Sequence, residues 1–526
     1  MLTIYINESG YRYETEELIK LFVPPSGFTF IEDPLLSISD TLFSASANRS
    51  DDDELMQEDH NSVIYRFPLL SIKLIHIDNY VYLTLDLVNE GQIIRTVSTP
   101  EILENNKDCS KKEIKDAVKR AVFLILADYY KYRPPWGILT GVRPTKIVNE
   151  YIVNGMGEED IIKKLKYYYY IEDEKINLLL KVCRNERKIL GNTSTDEVSV
   201  YIGVPFCPSR CIYCSFASYP SEEKNMDIYL EAISKEIQFV GNMLSENGSK
   251  IETLYIGGGT PTALTESQLS RLLSCIQNNF DLKSLKEYTI EAGRPDTLTK
   301  EKLNIMKNKG VNRISINPQT MKDETLKLIG RKHSSKEIVD MIYLARECGM
   351  DNINMDLIAG LPEETPEDFK SSLDILLELK PENITVHTLA LKRASKLKEI
   401  REEYNYEAEN AVVEMLEISR ELLESKGYTP YYMYRQKYMF GNHENVGYSK
   451  QDRFCIYNVR IMEEKQTIIA LGAGGISKIY YPSENRLERV PNVSNYEVYI
   501  DRIDEMLDRK RKLVFANIDN KIKNTL

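Results

Sequence analysis

No stretch of the 526 residues approaches the roughly 18 consecutive apolar residues that a helix needs to cross a bilayer, so no membrane span is expected. The opening Met-Leu-Thr-Ile-Tyr-Ile-Asn-Glu lacks a basic region followed by an apolar one, and no signal peptide is expected. A cationic excess is missing too. Lys and Arg number 68 against 80 Asp and Glu, a formal net charge of −12. That argues against a nucleic-acid partner, because such binding rests on basic patches. Cysteine is scarce, with eight residues and no secreted disulfide framework, so a reducing cytoplasm is the expected compartment. The length exceeds one ordinary core, and two or three domains are expected.

Three of the cysteines fall together, in Tyr201-Ile-Gly-Val-Pro-Phe-Cys207-Pro-Ser-Arg-Cys211-Ile-Tyr-Cys214, just after a strand-like run from Val198 to Ile202. Three thiolates on one short loop can hold three irons of a cubane [4Fe–4S] cluster, whose full protein ligation takes four. One iron is then left open, and an open position is where reactive ligands bind. The alternatives are unrelated thiols, or a zinc site with a distant fourth ligand. Zinc loops show paired Cys-x2-Cys units or Cys with His, and no second pair exists here. Cys109, Cys183, Cys275, Cys348 and Cys455 read as structural or incidental.

Residues 1–195 read as an N-terminal α+β domain. The acidic run 51–59 reads as a solvated loop. Leu69–Ile77 and Tyr80–Val88 form a hairpin turned at Asp78-Asn79, with a third strand over Gln92–Ser98. A helix from Lys111 to Tyr132 stops at Pro134-Pro135. The segment Pro135 to Lys146, which holds the single tryptophan, Trp136, reads as a lid or as a packed connector, and the connector is favoured. Helices follow at Glu158–Tyr168 and Asp173–Leu190. Residues 196–392 alternate strands and helices, with strands at Val198–Val204, Thr253–Gly257, Tyr288–Glu291, Arg313–Asn317, Asn352–Ile358 and Ile384–Leu389. Six βα units predict an α/β fold, a parallel sheet curved into a partial barrel with functional groups at the carboxyl ends of its strands. Residues 393–526 read as a smaller C-terminal α+β region covering the substrate. It begins with a helix over Tyr404–Ser425 and ends with one over Asn492–Arg509.

Unusual polar residues do sit at the strand ends. Gly257-Gly-Gly-Thr260 follows the second strand, where glycines let backbone groups approach a ligand. Glu291 ends the third, Asn317-Pro-Gln319 the fourth, Asp356 lies in the fifth, and the sixth runs into Thr388-Leu-Ala390.

The C-x3-C-x2-C loop after a first barrel strand resembles the radical S-adenosylmethionine (SAM) superfamily. The surrounding YxxxPFCxxxCxYC resembles its oxygen-independent coproporphyrinogen III oxidase branch, and the whole looks most like the longer HemZ-type proteins. The resemblance spans Tyr201 to Ser477. It implies a [4Fe–4S] cluster on Cys207, Cys211 and Cys214, with SAM on the open iron and up to two SAM per chain. It places Tyr201, Gly258, Glu291, Ala390 and Ile476 against the first SAM, Tyr201 also in a catalytic position. Tyr213, Gly259, Thr260, Gln319, Arg331 and Asp356 are placed against the second. It implies oxidative decarboxylation of two propionates of coproporphyrinogen III to vinyls, giving protoporphyrinogen IX. A ferredoxin or flavodoxin-type electron donor and a monomer are expected. Two departures stand out. The family histidine two residues after the first tyrosine is Gly203, and a fourth cysteine is Phe216. A substrate with carboxylates calls for cations, and Arg294, Arg393, Arg435 and Lys437 are candidates, each equally readable as surface charge. The competing readings are a heme chaperone or a radical SAM enzyme acting on another tetrapyrrole. Related chaperones carry His-Asn-x-x-Tyr-Trp where this chain has Tyr457-Asn-Val-Arg-Ile-Met462, without the histidine or the tryptophan.

Overall fold

The computed structural model describes residues 1–32, 68–78, 80–90, 92–99, 102–103, 107–141, 143–191, 194, 196–216, 218–390, 406–435 and 443–515. The acidic run 51–59, Asn79, Gly91, Arg393 and Lys437 lie outside the described residues. The chain divides into two units, Met1–Gly141 with Tyr151–Asn177, and Val142–Glu150 with Leu178–Leu526. Among the described residues no helix is long and apolar enough to cross a membrane.

In the first unit, Leu2–Ile6 pairs in parallel with Phe28–Ile31 and with Leu69–Ile77. Antiparallel strands Tyr80–Asn89 and Gln92–Ser98 continue that sheet. Val81, Leu83, Leu85 and Leu87 are buried while Tyr82, Thr84 and Asp86 are less so, the alternation of a one-sided sheet. A helix over Lys107–Tyr130 ends ahead of Pro134-Pro135. Trp136 is buried. Gly137 follows with φ +54, and a Cβ there would lie 1.9 Å from the Tyr169 carbonyl oxygen. That close backbone approach makes this stretch a packed connector, and Ile138 N donates to the same carbonyl at 2.9 Å.

The second unit is built on an eleven-stranded sheet. Six strands are parallel and lie in chain order: Glu197–Val204, Lys250–Gly258, Glu287–Glu291, Arg313–Ser315, Ile353–Ala359 and Asn383–Thr388. Helices Glu223–Glu246, Glu266–Asn279, Lys300–Asn308, Ser335–Glu347 and Pro366–Leu379 lie between them in sequence. This is the expected (β/α)6 arrangement, and its strands are largely buried, as strands covered on both faces are. Thr265, Ser334 and Thr365 each close a capping box at a helix start, worth about 1 kcal/mol apiece.

The sheet does not stop at six strands. Ile468–Leu471 adds in parallel beside the first, followed by antiparallel Ile476–Tyr481 and Arg486–Pro491. Beyond the sixth lie antiparallel Asn445–Ser449 and then Thr429–Tyr434. The expected closing helix over Asn492–Arg509 is broken into Tyr496–Asp501 and Ile503–Arg509. Asn495 caps the first piece by accepting from Val498 N at 2.9 Å. Asn492 stays outside the helix because its amide is spent on Glu236 at 3.0 Å and on the Gly472 carbonyl at 2.9 Å.

The outer strand packs tightly on its neighbour at Gly447. A Cβ there would lie 1.8 Å from a ring carbon of Tyr432. Gly447→Ala should therefore overpack the sheet edge and cost about 1–3 kcal/mol, read as a lower urea midpoint. An unchanged midpoint would show that the Tyr432 ring can move aside freely.

Candidate functional site

The cysteine loop leaves the carboxyl end of the first parallel strand and is gripped from several sides. Ile212 N donates to the Ile329 carbonyl at 3.1 Å, and Ser209 Oγ to the Gly330 carbonyl at 3.1 Å. Arg294 Nη1 donates to Ser209 Oγ at 2.8 Å, while Nε and Nη2 hold Asp296 at 3.0 and 2.9 Å. Its two ends are thus occupied in bracing the loop. Cys207, Cys211 and Cys214 are free thiols that line one cavity of about 400 Å³. Burial pushes the Cys207 and Cys214 thiols up, and Thr260 Oγ1, 3.4 Å from Cys207 Sγ, opposes this at Cys207. Among the described residues no three His, Cys, Asp or Glu side chains gather as a single ion requires. Three thiols facing one cavity of this size fit three corners of a cubane better than they fit zinc.

The second strand ends at Gly258, whose φ is +111. A Cβ there would meet Tyr201 Oη at 3.2 Å and Val204 N at 3.3 Å, and one at Gly259 would meet the Phe206 carbonyl oxygen at 2.6 Å. Gly259 N donates to the Val204 carbonyl at 2.8 Å and Thr260 N to that of Phe206 at 2.7 Å. The glycine loop is therefore clamped, backbone to backbone, on the strand that leads into Cys207. Glu291 closes the corner, accepting from Tyr255 Oη at 2.7 Å and from Gly258 N at 3.2 Å. Burial pushes its carboxyl up to about 7 against those two hydrogen bonds, and the charge of Asp356 adds to the rise. This is not a solvated surface carboxylate.

Arg331 Nη1 donates to the Gly293 carbonyl at 3.2 Å and to that of Asn317, and Nη2 to Tyr213 Oη at 3.2 Å. Gln319 sits at φ +70, its N–H bonded to the Asp356 carbonyl at 2.9 Å. The cavity brings Tyr213, Gly258, Gly259, Thr260 and Glu291 together with the cysteines, and adds Gln319, Arg331, Asp356 and Ala390. Tyr201 lies behind this lining, stacked 6.2 Å from Tyr255, which in turn stacks 4.5 Å from Tyr457. Burial raises its phenol far above the ordinary value. Ile476 is 47% exposed and lines a different groove, with Gly474, Pro491 and Asn492. Arg435 is buried away from the cavity lining. A side chain at Gly203 would point at the carbonyls of Leu471 and Ala473, each 3.4 Å from its Cβ.

Sequence reasoning reads the aromatic stretch around Tyr432 and Tyr434 equally as a macrocycle contact or an ordinary edge strand, and passes over the rest of the far wall. Asn354, Thr385, His387, Tyr432, Tyr434, Asn445 and Asn458 also line the cavity. Asn354 Nδ2 donates to Ser315 Oγ and Asp356 Oδ1, both at 2.7 Å, and Thr385 Oγ1 donates to Asn354 Oδ1 at 3.1 Å. The signal was present: in Asn383-Ile-Thr-Val-His387 polar residues recur at every second position, so they share one face of a strand.

Comparison with known proteins gives the family. Residues 201–376 match the model of the radical SAM superfamily. The chain is 40% identical over 406 residues to the oxygen-independent coproporphyrinogen-III oxidase-like protein HemZ of Bacillus subtilis, covering 76% of this chain and 81% of that one. It is 39% identical over 196 residues to the heme chaperone HemW of the same organism, covering 37% of this chain and 51% of HemW. It is 32% identical over 194 residues to the oxygen-independent coproporphyrinogen III oxidase of Escherichia coli, covering 37% and 42%. The chain thus spans about half or less of the latter two relatives. Among solved structures, the Escherichia coli coproporphyrinogen III oxidase HemN is similar at 23% identity over 61% of this chain and 72% of that one, with a TM-score of 0.48.

Cys207→Ala, Cys211→Ala or Cys214→Ala should each abolish the iron–sulfur absorption of anaerobically reconstituted protein, because each removes a thiolate ligand. A full iron complement in any of the three would contradict the assignment. Glu291 gives a pH prediction. With its carboxyl raised from 4.5 to about 7, the folded protein keeps a proton that the unfolded chain releases. That contribution to stability is complete below pH 4.5 and is lost as pH rises through about 7. In cluster-free protein, Glu291→Gln should therefore flatten the fall in urea midpoint between about pH 5 and 8. The same slope in both proteins would count against it.

Proposed function

Since this chain belongs to the HemZ-type branch of the radical SAM proteins related to oxygen-independent coproporphyrinogen III oxidase, we propose that it oxidatively decarboxylates coproporphyrinogen III to protoporphyrinogen IX. Proteins of the superfamily use a [4Fe–4S] cluster and SAM. In the proposed site Cys207, Cys211 and Cys214 would hold three irons of the cluster and leave the fourth open to SAM. When bound, that pair would supply the radical chemistry needed to take a hydrogen atom from a propionate side chain, and the chain's own residues would hold the two in place.

The observation that carries this reading is the single cavity shared by the three cysteines, the glycine loop and a wall of tyrosine and amide side chains. The chain's own work there is positioning. Gly258 and Gly259 bring backbone groups against the cofactor. Glu291 offers a carboxyl oxygen as an acceptor to its amino end. Arg331 and Tyr213 brace the side where a second SAM would lie. Holding one C–H bond against a radical is worth several kcal/mol of barrier. A small electron carrier of the ferredoxin or flavodoxin type, a cytoplasmic location and a monomeric state accompany this proposal.

A second reading, heme chaperone, is favoured by Phe216. It is 65% exposed at the cavity, in the place of the oxidases' fourth cysteine. Against it stands Tyr457, which occupies the place of the chaperones' histidine and is buried in the Tyr201–Tyr255 stack. Anaerobic incubation of reconstituted protein with SAM, a reductant and coproporphyrinogen III should yield protoporphyrinogen IX, with one 5′-deoxyadenosine per vinyl group formed. Stoichiometric heme binding without turnover would replace this function with the chaperone.

A further inference from the structure

An ion pair stands directly behind the cysteine loop. The third strand, Glu287–Glu291, runs on to Arg294, and a single turn over Pro295–Thr297 follows. That turn is fixed. Thr297 N and Oγ1 donate to the Arg294 carbonyl at 3.1 and 2.8 Å. The buried Lys302 donates to the carbonyls of Thr297 and Thr262 at 2.9 and 2.8 Å, which ties the turn to the glycine loop. Arg294 is 3% exposed and lines the cavity, and its guanidinium faces two ways. The edge formed by Nε and Nη2 forks onto Asp296, at 3.0 and 2.9 Å. On the opposite edge Nη1 donates to Ser209 Oγ at 2.8 Å and to the Ser209 carbonyl at 3.2 Å. Ser209 is two residues from Cys207 and two from Cys211. The pair is therefore oriented, cation toward the cysteines and anion away from them. Burial would raise the Asp296 carboxyl, but His333 and Arg294 hold it well below the usual carboxylate range, so it is ionised.

Bracing a serine does not call for a charge. A hydroxyl and a carbonyl are neutral acceptors, and a neutral amide donor would serve them as well. Burying a guanidinium and a carboxylate costs desolvation that their attraction does little more than offset, so stability alone is a weak reason for the pair. We infer that Arg294 and Asp296 set the reduction potential of the cluster held by Cys207, Cys211 and Cys214, Arg294 as a fixed positive charge that favours the reduced form and Asp296 as the opposing one. Reduction adds one electron to the cluster. A cation held behind the loop in a poorly solvated setting stabilises that added charge, and an anion on its far edge subtracts from the effect. This rests on the cluster assignment alone and is the same whether the tetrapyrrole is a substrate or a cargo.

The test is a redox titration followed by electron paramagnetic resonance, on full-length protein reconstituted anaerobically and kept free of SAM, with iron content measured alongside. Arg294→Gln should make the midpoint potential more negative, and Asp296→Asn should make it less negative. Each shift should change the ratio of reduced to oxidised cluster at a fixed potential about tenfold, or about 59 mV for one electron. Arg294→Lys keeps the charge and should stay near the parent, and the double variant Arg294→Gln with Asp296→Asn should return toward it. Opposite signs are what a charge effect requires and a bracing effect does not. Shifts of one sign in both single variants, or unmoved midpoints at full iron content, would leave the pair as a brace for the loop and overturn the inference. Arg294→Lys behaving like Arg294→Gln would assign the effect to the grip on Ser209 and also overturn it. Should Arg294→Gln fail to hold iron, Asp296→Asn decides alone, and an unchanged or more negative midpoint there sinks the inference. Parent protein without an iron–sulfur signal would remove the cluster assignment itself, an outcome distinct from variants that hold iron and titrate like the parent.

Discussion

The close approach of two backbones, Gly258-Gly259 against Val204 to Phe206, is the constraint on which the site depends. Two amide-to-carbonyl bonds, at 2.8 and 2.7 Å, fix the loop that carries Cys207 to the end of the neighbouring strand. No side chain could stand between them, because even a Cβ at Gly259 would fall 2.6 Å from a carbonyl oxygen. Cys207 is therefore placed by the parallel sheet itself, and the rest of the loop by its contacts with Ile329, Gly330 and Arg294. Parallel pairing also explains the gathering of the other groups, since in-register strands bring their carboxyl ends to one edge.

A second set of contacts explains how the later part of the chain reaches the same cavity. Two carboxylates on the parallel strands hold the helix Ile456–Glu463. Glu287 accepts from the amides of Ile456 and Tyr457 at 2.8 and 3.1 Å, and Glu252 takes Arg460 at 2.8 and 2.9 Å. That helix presents Asn458 and Met462 to the cavity. Farther along, the buried Glu236 ties the Gly472 amide, Tyr499 and Lys510 together at 2.7, 2.6 and 2.6 Å. Burial alone would raise the Glu236 carboxyl, but Lys510 and these donors hold it below its ordinary value. Leaving such a carboxylate buried without its partner is costly, so each network specifies one docking of the later elements.

The parts legible in the sequence were those with local signatures. The strands around Val198–Val204 and Thr253–Gly257 follow from apolar runs. The cysteine spacing and the Gly257-Gly-Gly-Thr260 run marked one side of the cavity in the same way. What was not legible depended on pairing between distant segments. Nothing local in Ile468–Leu471 says that it lies beside Val198–Val204, some 270 residues earlier, and nothing in Thr429–Tyr434 says that it forms the far edge of the same sheet. His387 was missed for that reason. Its environment is set by Asp356 on one neighbouring strand and by Tyr434 two strands away, and no spacing rule joins the three. Asn492 misled through propensity, since the helix it was assigned to loses to its hydrogen bonds with Glu236 and Gly472.

The two sides of the cavity are consequently built on different principles. On the cysteine side, glycine backbones and a carboxylate bonded to a backbone amide set the geometry, so almost any substitution changes the position of the main chain. On the far side, adjacent strands only have to stay paired, and their inward side chains can be exchanged without moving the backbone. Thr385, His387, Tyr432 and Tyr434 hang from such strands. A scaffold divided this way holds its radical chemistry constant while the bound molecule is decided by a few side chains, which is how one fold comes to serve relatives with different named roles. The identity of the ligand is thus to be sought in the far wall, where His387, Tyr432 and Tyr434 line the cavity, rather than in the cysteine loop.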